Sequence, residues 1–253
     1  MRSRLTALLI IVTFCGGVRQ SEARTAEREI TVAAAANLMQ VLQDISADFE
    51  KQTRIHAVLS FGSTAVLTSQ IENSAPFDVF LAADAEHVEK LASEHLLVAA
   101  SAAVYATGVL ALWIPAGTKV KLNAVRELAQ ANVHVIAVAN PKLAPYGTAT
   151  VETLQHAGIW DRVKDRIVYA ENISMSKQYG ISGNADAVFT AYSLVFRDKG
   201  KVISVPESMH APIVQKLGVL ASSQHKEAAQ SFAEFVLYGP GRATLARYGY
   251  KVQ

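Results

Sequence analysis

Apolar residues recur along this chain in two alternating rhythms. Residues 30–34 form a short apolar run of strand length. Leu38, Val41, Leu42, Ile45 and Phe49 then fall on one face at helical spacing. A second strand-like run, 56–61, leads into a helix from Ser63 that carries Val66, Leu67 and Ile71. Residues 78–82 read as a third strand, and His87, Leu91 and Leu96 mark the helical stretch behind it. The pattern then changes to one long apolar run, VYATGVLALWI at 104–114, which Pro115 ends. A second set follows: a helix near 124–129, a strand at 134–139, the turn NPKLAPYG, a helix from about Thr148, a strand at 167–170 and a helix after ENIS. Strand-like runs at 187–196 and 201–205 come next, then APIVQKLGVLASS. A closing amphipathic helix carries Ala228, Phe232, Phe235 and Val236.

Strand-helix repetition of this kind predicts an α/β fold with parallel strands covered by helices. No long linker separates the two sets. The chain is therefore expected to build part of one lobe, cross over, build a second and return. Residues 24–107 and 210–253 would form lobe 1, and 108–209 lobe 2.

The first two dozen residues fall outside that pattern. Arg2 and Arg4 precede an apolar stretch at 5–14, and Ser21-Glu22-Ala23 places small residues where a signal peptidase reads. Residues 1–23 are expected to be a signal peptide, cleaved after Ala23, that exports the chain to the periplasm. Cleavage removes three of the 24 basic and one of the 22 acidic residues, leaving 21 of each. A neutral mature chain lacks the basic surplus that nucleic-acid binding requires. The only cysteine, Cys15, lies in the leader, behind a Phe14 too bulky for the usual lipoprotein cleavage site. The mature chain then has no disulfide, thiolate metal site or cysteine nucleophile. With 51% hydrophobic and 18% charged residues it is core-forming.

Candidate chemistry gathers at four strand-to-helix turns. They are TVAAAANLMQ with Asn37, SFGSTAVL with Ser63 and Thr64, ANPKLAPYGTAT with Tyr146, and YAENISMS with Ile173. Each falls at the C-terminal end of a presumed parallel strand, the edge where open α/β sheets bind ligands. A hydroxyl at such a start either caps free backbone N–H groups or shares an anion with them. The donors are all neutral, so the set suits a small, fully ionised oxyanion that only accepts hydrogen bonds. Glu171 is the nearest acidic residue.

The segments ITVAAAANLMQVLQDI, SFGSTAVLTSQI, APFDVFLAAD, ANPKLAPYGTATVETLQ, AENIS and ARYGY resemble, in order and spacing, the periplasmic molybdate-binding proteins of ABC importers. The likeness runs from about Ile30 to Tyr250. It implies a two-lobed type II periplasmic-binding fold with two crossover strands, and molybdate or tungstate bound in the cleft as a tetrahedral dianion. It further implies delivery to a membrane permease, no cofactor, no metal cation and a monomer. Carried over by position, the oxyanion contacts fall on Asn37, with Ala36 beside it, on Ser63 and Thr64, on Tyr146, and on the backbone N–H of Ile173. Asparagine and tyrosine at the first and third positions place the chain in one branch of that family. A tyrosine used by many members corresponds to Ala191, with Tyr192 one residue later. The resemblance leaves Ala191 and Tyr192 both as candidate ligand contacts; a one-residue shift along a strand reverses the face, which favours packing for Tyr192.

Three rivals remain. A sulfate receptor of the same fold would need the same donors. In a secreted hydrolase Ser63 would be the nucleophile, but FGSTA is not the G-x-S-x-G elbow. A metal-binding receptor would need histidine or paired-tyrosine motifs, and none of the H-E-x-x-H kind is present.

Overall fold

The computed structural model describes residues 29–130 and 132–252; the leader lies outside the described residues. Strand β1 (Glu29–Ala35) runs through a tight 3-10 turn at Ala36–Leu38 into helix α1 (Met39–Thr53). Then follow β2 (His56–Gly62), α2 (Thr64–Glu72), β3 (Val79–Leu81), α3 (Glu86–Ser93), β4 (Ala103–Gly108) and β5 (Leu110–Pro115). The middle of the chain forms β6 (Ile136–Ala139), α4 (Pro145–His156), α5 (Trp160–Val163), β7 (Ile167–Ala170), α6 (Ile173–Ile181), β8 (Ala187–Ala191), α7 (Tyr192–Val195) and β9 (Gly200–Ser204). Last come β10 (Ile213–Val219), α8 (Lys226–Leu237) and α9 (Pro240–Arg247).

Two five-stranded sheets result, in the orders β2-β1-β3-β10-β4 and β7-β6-β8-β5-β9. In the first, β1 is parallel to β2 and β3, and β10 is antiparallel to β3 and β4. In the second, β6 is parallel to β7 and β8, and β5 is antiparallel to β8 and β9. Four strands of each sheet thus point the same way, and one, β10 in the first and β5 in the second, runs against its neighbours where the chain crosses between sheets. It leaves the first on β4, enters the second on β5 with only Val109 between, and returns on β10. The single apolar run at 104–114 is therefore two strands.

Four more readings change. Residues 187–196 are not one strand: β8 stops at Ala191 and the one-turn helix α7 follows, closed by the Tyr192 N–H on Val109 O at 2.9 Å. Residues 193–195 are buried, so the run stays apolar, and apolarity alone does not separate a buried strand from a buried helical turn. The helix placed at Thr148 begins at Pro145, whose missing N–H costs nothing at a helix start. The helix near 124–129 is a 3-10 turn, Val125–Ala129, and Leu96 lies beyond the end of α3.

The apolar stripe of α1 does what its spacing predicts. Val41, Leu42, Ile45 and Phe49 are buried, and Arg54 at φ 65° ends the helix. Phe49 meets Phe232 and Phe235 of α8 edge-on, with ring centroids 5.1 and 5.4 Å apart. Burying such a ring stabilises by about 1.5–3 kcal/mol, and each edge-to-face pair adds about 0.5–1.5. The closing helix is thus pinned to the first, which holds both ends of the chain on one sheet.

Candidate functional site

The four turns converge. Asn37, Ser63 and Thr64 from the first sheet, and Tyr146 and Ile173 from the second, line one narrow cavity of about 10 Å³. Ala36 lines it too, and Ala35, Gly62, Ala83 and Ala144 complete a wall of small residues that admits a ligand close to the backbone. No lysine, arginine, histidine or carboxylate is among the lining residues. Glu171 and His134 are exposed elsewhere, and His210 is not among the lining residues. The two halves already touch across the cleft, where the Ala65 N–H donates to Leu143 O at 3.2 Å.

Ser63 answers the choice between cap and anion site. It occupies the position before α2 with extended backbone, yet its hydroxyl caps nothing. Its Oγ is buried and has no hydrogen-bond partner among the described residues. Thr64 Oγ1 accepts from the Ala83 N–H at 3.0 Å, and its own proton has no such bond. At α6 the ordinary device does operate: Asn172 Oδ1 accepts from the Met175 N–H at 2.9 Å. The Ile173 and Ser174 N–H groups precede the capped one and, as first-turn amides, have no partner within the helix. At α4 the start is Ala144-Pro145-Tyr146, with no side-chain cap, so the Tyr146 N–H is likewise left at the cavity.

Behind Asn37 lies a buried polar network. Asn37 Nδ2 donates to Gln215 Oε1 at 3.1 Å and to the Tyr250 hydroxyl at 3.0 Å. Gln215 Nε2 donates to the Tyr146 hydroxyl at 3.0 Å, and the Tyr105 hydroxyl donates to Gln215 Oε1 at 2.6 Å. The Tyr250 and Ser193 hydroxyls both reach Asn37 O, at 2.8 and 3.1 Å. Tyr146 and Ser193 come from the second half, so the network ties the halves together at the rear of the cavity. Burial pushes the Tyr105, Tyr146 and Tyr250 phenols well above their ordinary range, and all three stay neutral.

Ala191 and Tyr192 do not line the cavity. Ala191 is fully buried at the end of β8, and Tyr192 stacks on Phe196 with centroids 5.8 Å apart. The Tyr146 hydroxyl is engaged by Gln215 Nε2. Gln215, Ser193 and Tyr105 carry no motif. The signal for Gln215 was a polar residue inside the apolar run IVQKLGV, where strand burial demands a partner.

Two α/β halves, linked by crossing strands and closing on a cavity of neutral donors, define a two-lobed binding protein for a small solute. A family model of bacterial extracellular solute-binding proteins matches residues 30–251, and the chain belongs to that family. It is 35% identical to the molybdate-binding protein ModA of Azotobacter vinelandii, covering 96% of this chain and 97% of that one. It is 30% identical to ModA of Rhodobacter capsulatus over 88% of each. The solved periplasmic molybdate-binding protein of Azotobacter vinelandii superposes with a TM-score of 0.84 at 31% identity, covering 88% of this chain and 99% of that one.

Proposed function

We propose that this chain is the extracytoplasmic receptor of an ABC importer, that it binds molybdate and tungstate, and that it passes them to a membrane permease without catalysing a reaction. One observation carries the ligand class: the buried Ser63 hydroxyl without a partner, at a cavity with no formal charge. An unpaired buried polar group costs about 1–3 kcal/mol, which a bound ligand returns. Four helix starts add partial positive charge. A fully ionised tetrahedral oxyanion, all acceptors, matches that set. Ser63, Thr64 and Asn37 would meet it from one side, and the N–H groups of Tyr146 and Ile173 from the other, with the Ala36 backbone alongside.

Residues 1–23 as a cleaved leader, periplasmic residence and a monomeric state belong to the same reading. So does the division into lobe 1, 24–107 and 210–253, and lobe 2, 108–209.

The test is thermal melting and calorimetry of the mature chain with molybdate, tungstate, sulfate and phosphate. Ligand bound only to the folded state adds about 2.7 kcal/mol at a hundredfold excess over Kd. Molybdate and tungstate should raise the melting temperature and phosphate should not. An equal response to sulfate, which shares the dianionic acceptor surface, would reassign the ligand.

A further inference from the structure

Asn37 presents the wrong end of its amide to an anion. Its Nδ2 is held at the rear by Gln215 and Tyr250, and Oδ1 is the atom left without a partner. An amide oxygen only accepts, as does a fully ionised oxyanion.

The rear network contains the remedy. Neither amide can turn alone. Turning Asn37 would set its Oδ1 against Gln215 Oε1, and turning Gln215 would set its Nε2 against Asn37 Nδ2. Turned together, they give up only the Asn37 Nδ2 bond to the Tyr250 hydroxyl and that hydroxyl's bond to Asn37 O. Gln215 Nε2 then donates to Asn37 Oδ1 and to the Tyr105 hydroxyl, and Gln215 Oε1 accepts the Tyr146 proton. The Tyr105 hydroxyl keeps Ala82 O at 2.9 Å as its acceptor, the Ser193 hydroxyl keeps Asn37 O, and the Tyr250 proton swings from Asn37 O to Asn37 Oδ1, which now stands where Nδ2 did. Asn37 Nδ2 is released towards the cavity. The 2.6 Å between Tyr105 Oη and Gln215 Oε1 is an O–H···O length, shorter than N–H···O prefers, and fits the unturned arrangement.

We propose that Gln215 is the positioning and specificity-determining residue of the cavity. It fixes which end of the Asn37 amide meets the ligand, and the two amides turn over together when a fully ionised oxyanion binds. Tyr146 and Tyr105 are the proton donor and acceptor that make the turned state complete. This rests on the oxyanion-receptor reading above.

The direct test is proton NMR of wild-type protein with 15N-labelled Asn and Gln, with and without sodium molybdate. Without molybdate the Asn37 side-chain amide protons should show cross-relaxation to the Tyr250 ring. With molybdate those contacts should give way to contacts with the backbone amides of Ser63 and Thr64. Saturable molybdate binding with the Tyr250 contacts unchanged would overturn the inference and leave the receptor reading intact. Absence of molybdate binding would overturn both.

Discussion

The polar groups in front of Asn37 and those behind it are buried alike but paired differently. Behind it, Gln215, Tyr250, Tyr105, Tyr146 and Ser193 each have side-chain partners within 3.1 Å. In front, Asn37 Oδ1 and Ser63 Oγ have none among the described residues. The rear, with every group partnered, ties the two halves together. The front carries a standing penalty of about 1–3 kcal/mol per unpaired group that only a ligand removes. Residues a few ångströms apart thus do opposite work, one set for stability and the other for binding.

Breaking the rear should have the largest effect. A Cβ on Gly108 would lie 2.2 Å from the Tyr146 hydroxyl and 2.3 Å from Gln215 Nε2. Gly108→Ala should therefore part the network and lower ligand-free stability by about 2–4 kcal/mol, combining overpacking with lost hydrogen bonds. Denaturant unfolding measures it; an unchanged midpoint would mean the rear is not what holds the halves.

Ser63→Ala sharpens the contrast from the front. It deletes an unpaired buried hydroxyl, so the ligand-free melting temperature should stay level or rise. Molybdate affinity should fall by about 1.5–3 kcal/mol, the range for a hydrogen bond to a charged group. Calorimetry and a melt on the same preparation separate the two effects.

Ile173→Val is smaller. The side chain is buried in the core of the second half, so stability should fall by about 0.5–1.5 kcal/mol. Affinity should scarcely move, because the proposed donor is the backbone N–H. A greater loss of affinity than of stability would remove Ile173 from the contacts.

The smallest effect expected is that of pH on binding. No cavity group titrates between pH 6 and 8, and burial raises the Tyr105, Tyr146 and Tyr250 phenols above the ordinary value near 10. Affinity should be flat across that range at fixed salt. The sign for stability follows from the raised phenols. Their contribution is fully present below about pH 10, where the unfolded phenols ionise, and is lost as pH rises towards the higher folded values. Melts should weaken only on the alkaline side.

The sequence carried the front more legibly than the rear. Asn37, Ser63, Thr64, Tyr146 and Ile173 stand at strand-to-helix turns, and such turns announce themselves through small residues and a change of apolar period. All five reach one cavity. The rear is assembled from residues up to 213 positions apart, such as Asn37 and Tyr250, and no local pattern records that meeting. The break at Val109 was hidden for a similar reason. Both strands flanking it are core-lined, so the apolar run continued through a point where the chain changes sheet. Of the two positions left open at the end of β8, neither Ala191 nor Tyr192 lines the cavity, and Tyr192 begins a helical turn where strand alternation had been assumed.

Isothermal titration of the mature chain with molybdate, in two buffers of different ionisation enthalpy, tests the neutral-donor cavity most directly. Saturable one-to-one binding is expected, with the same heat after buffer correction and no net proton exchanged between pH 6 and 8. A tenfold loss of affinity towards pH 8, with about one proton taken up per anion, would contradict it. That result would place a titrating histidine or carboxylate at the ligand, where the structure has only amides, hydroxyls and backbone N–H groups.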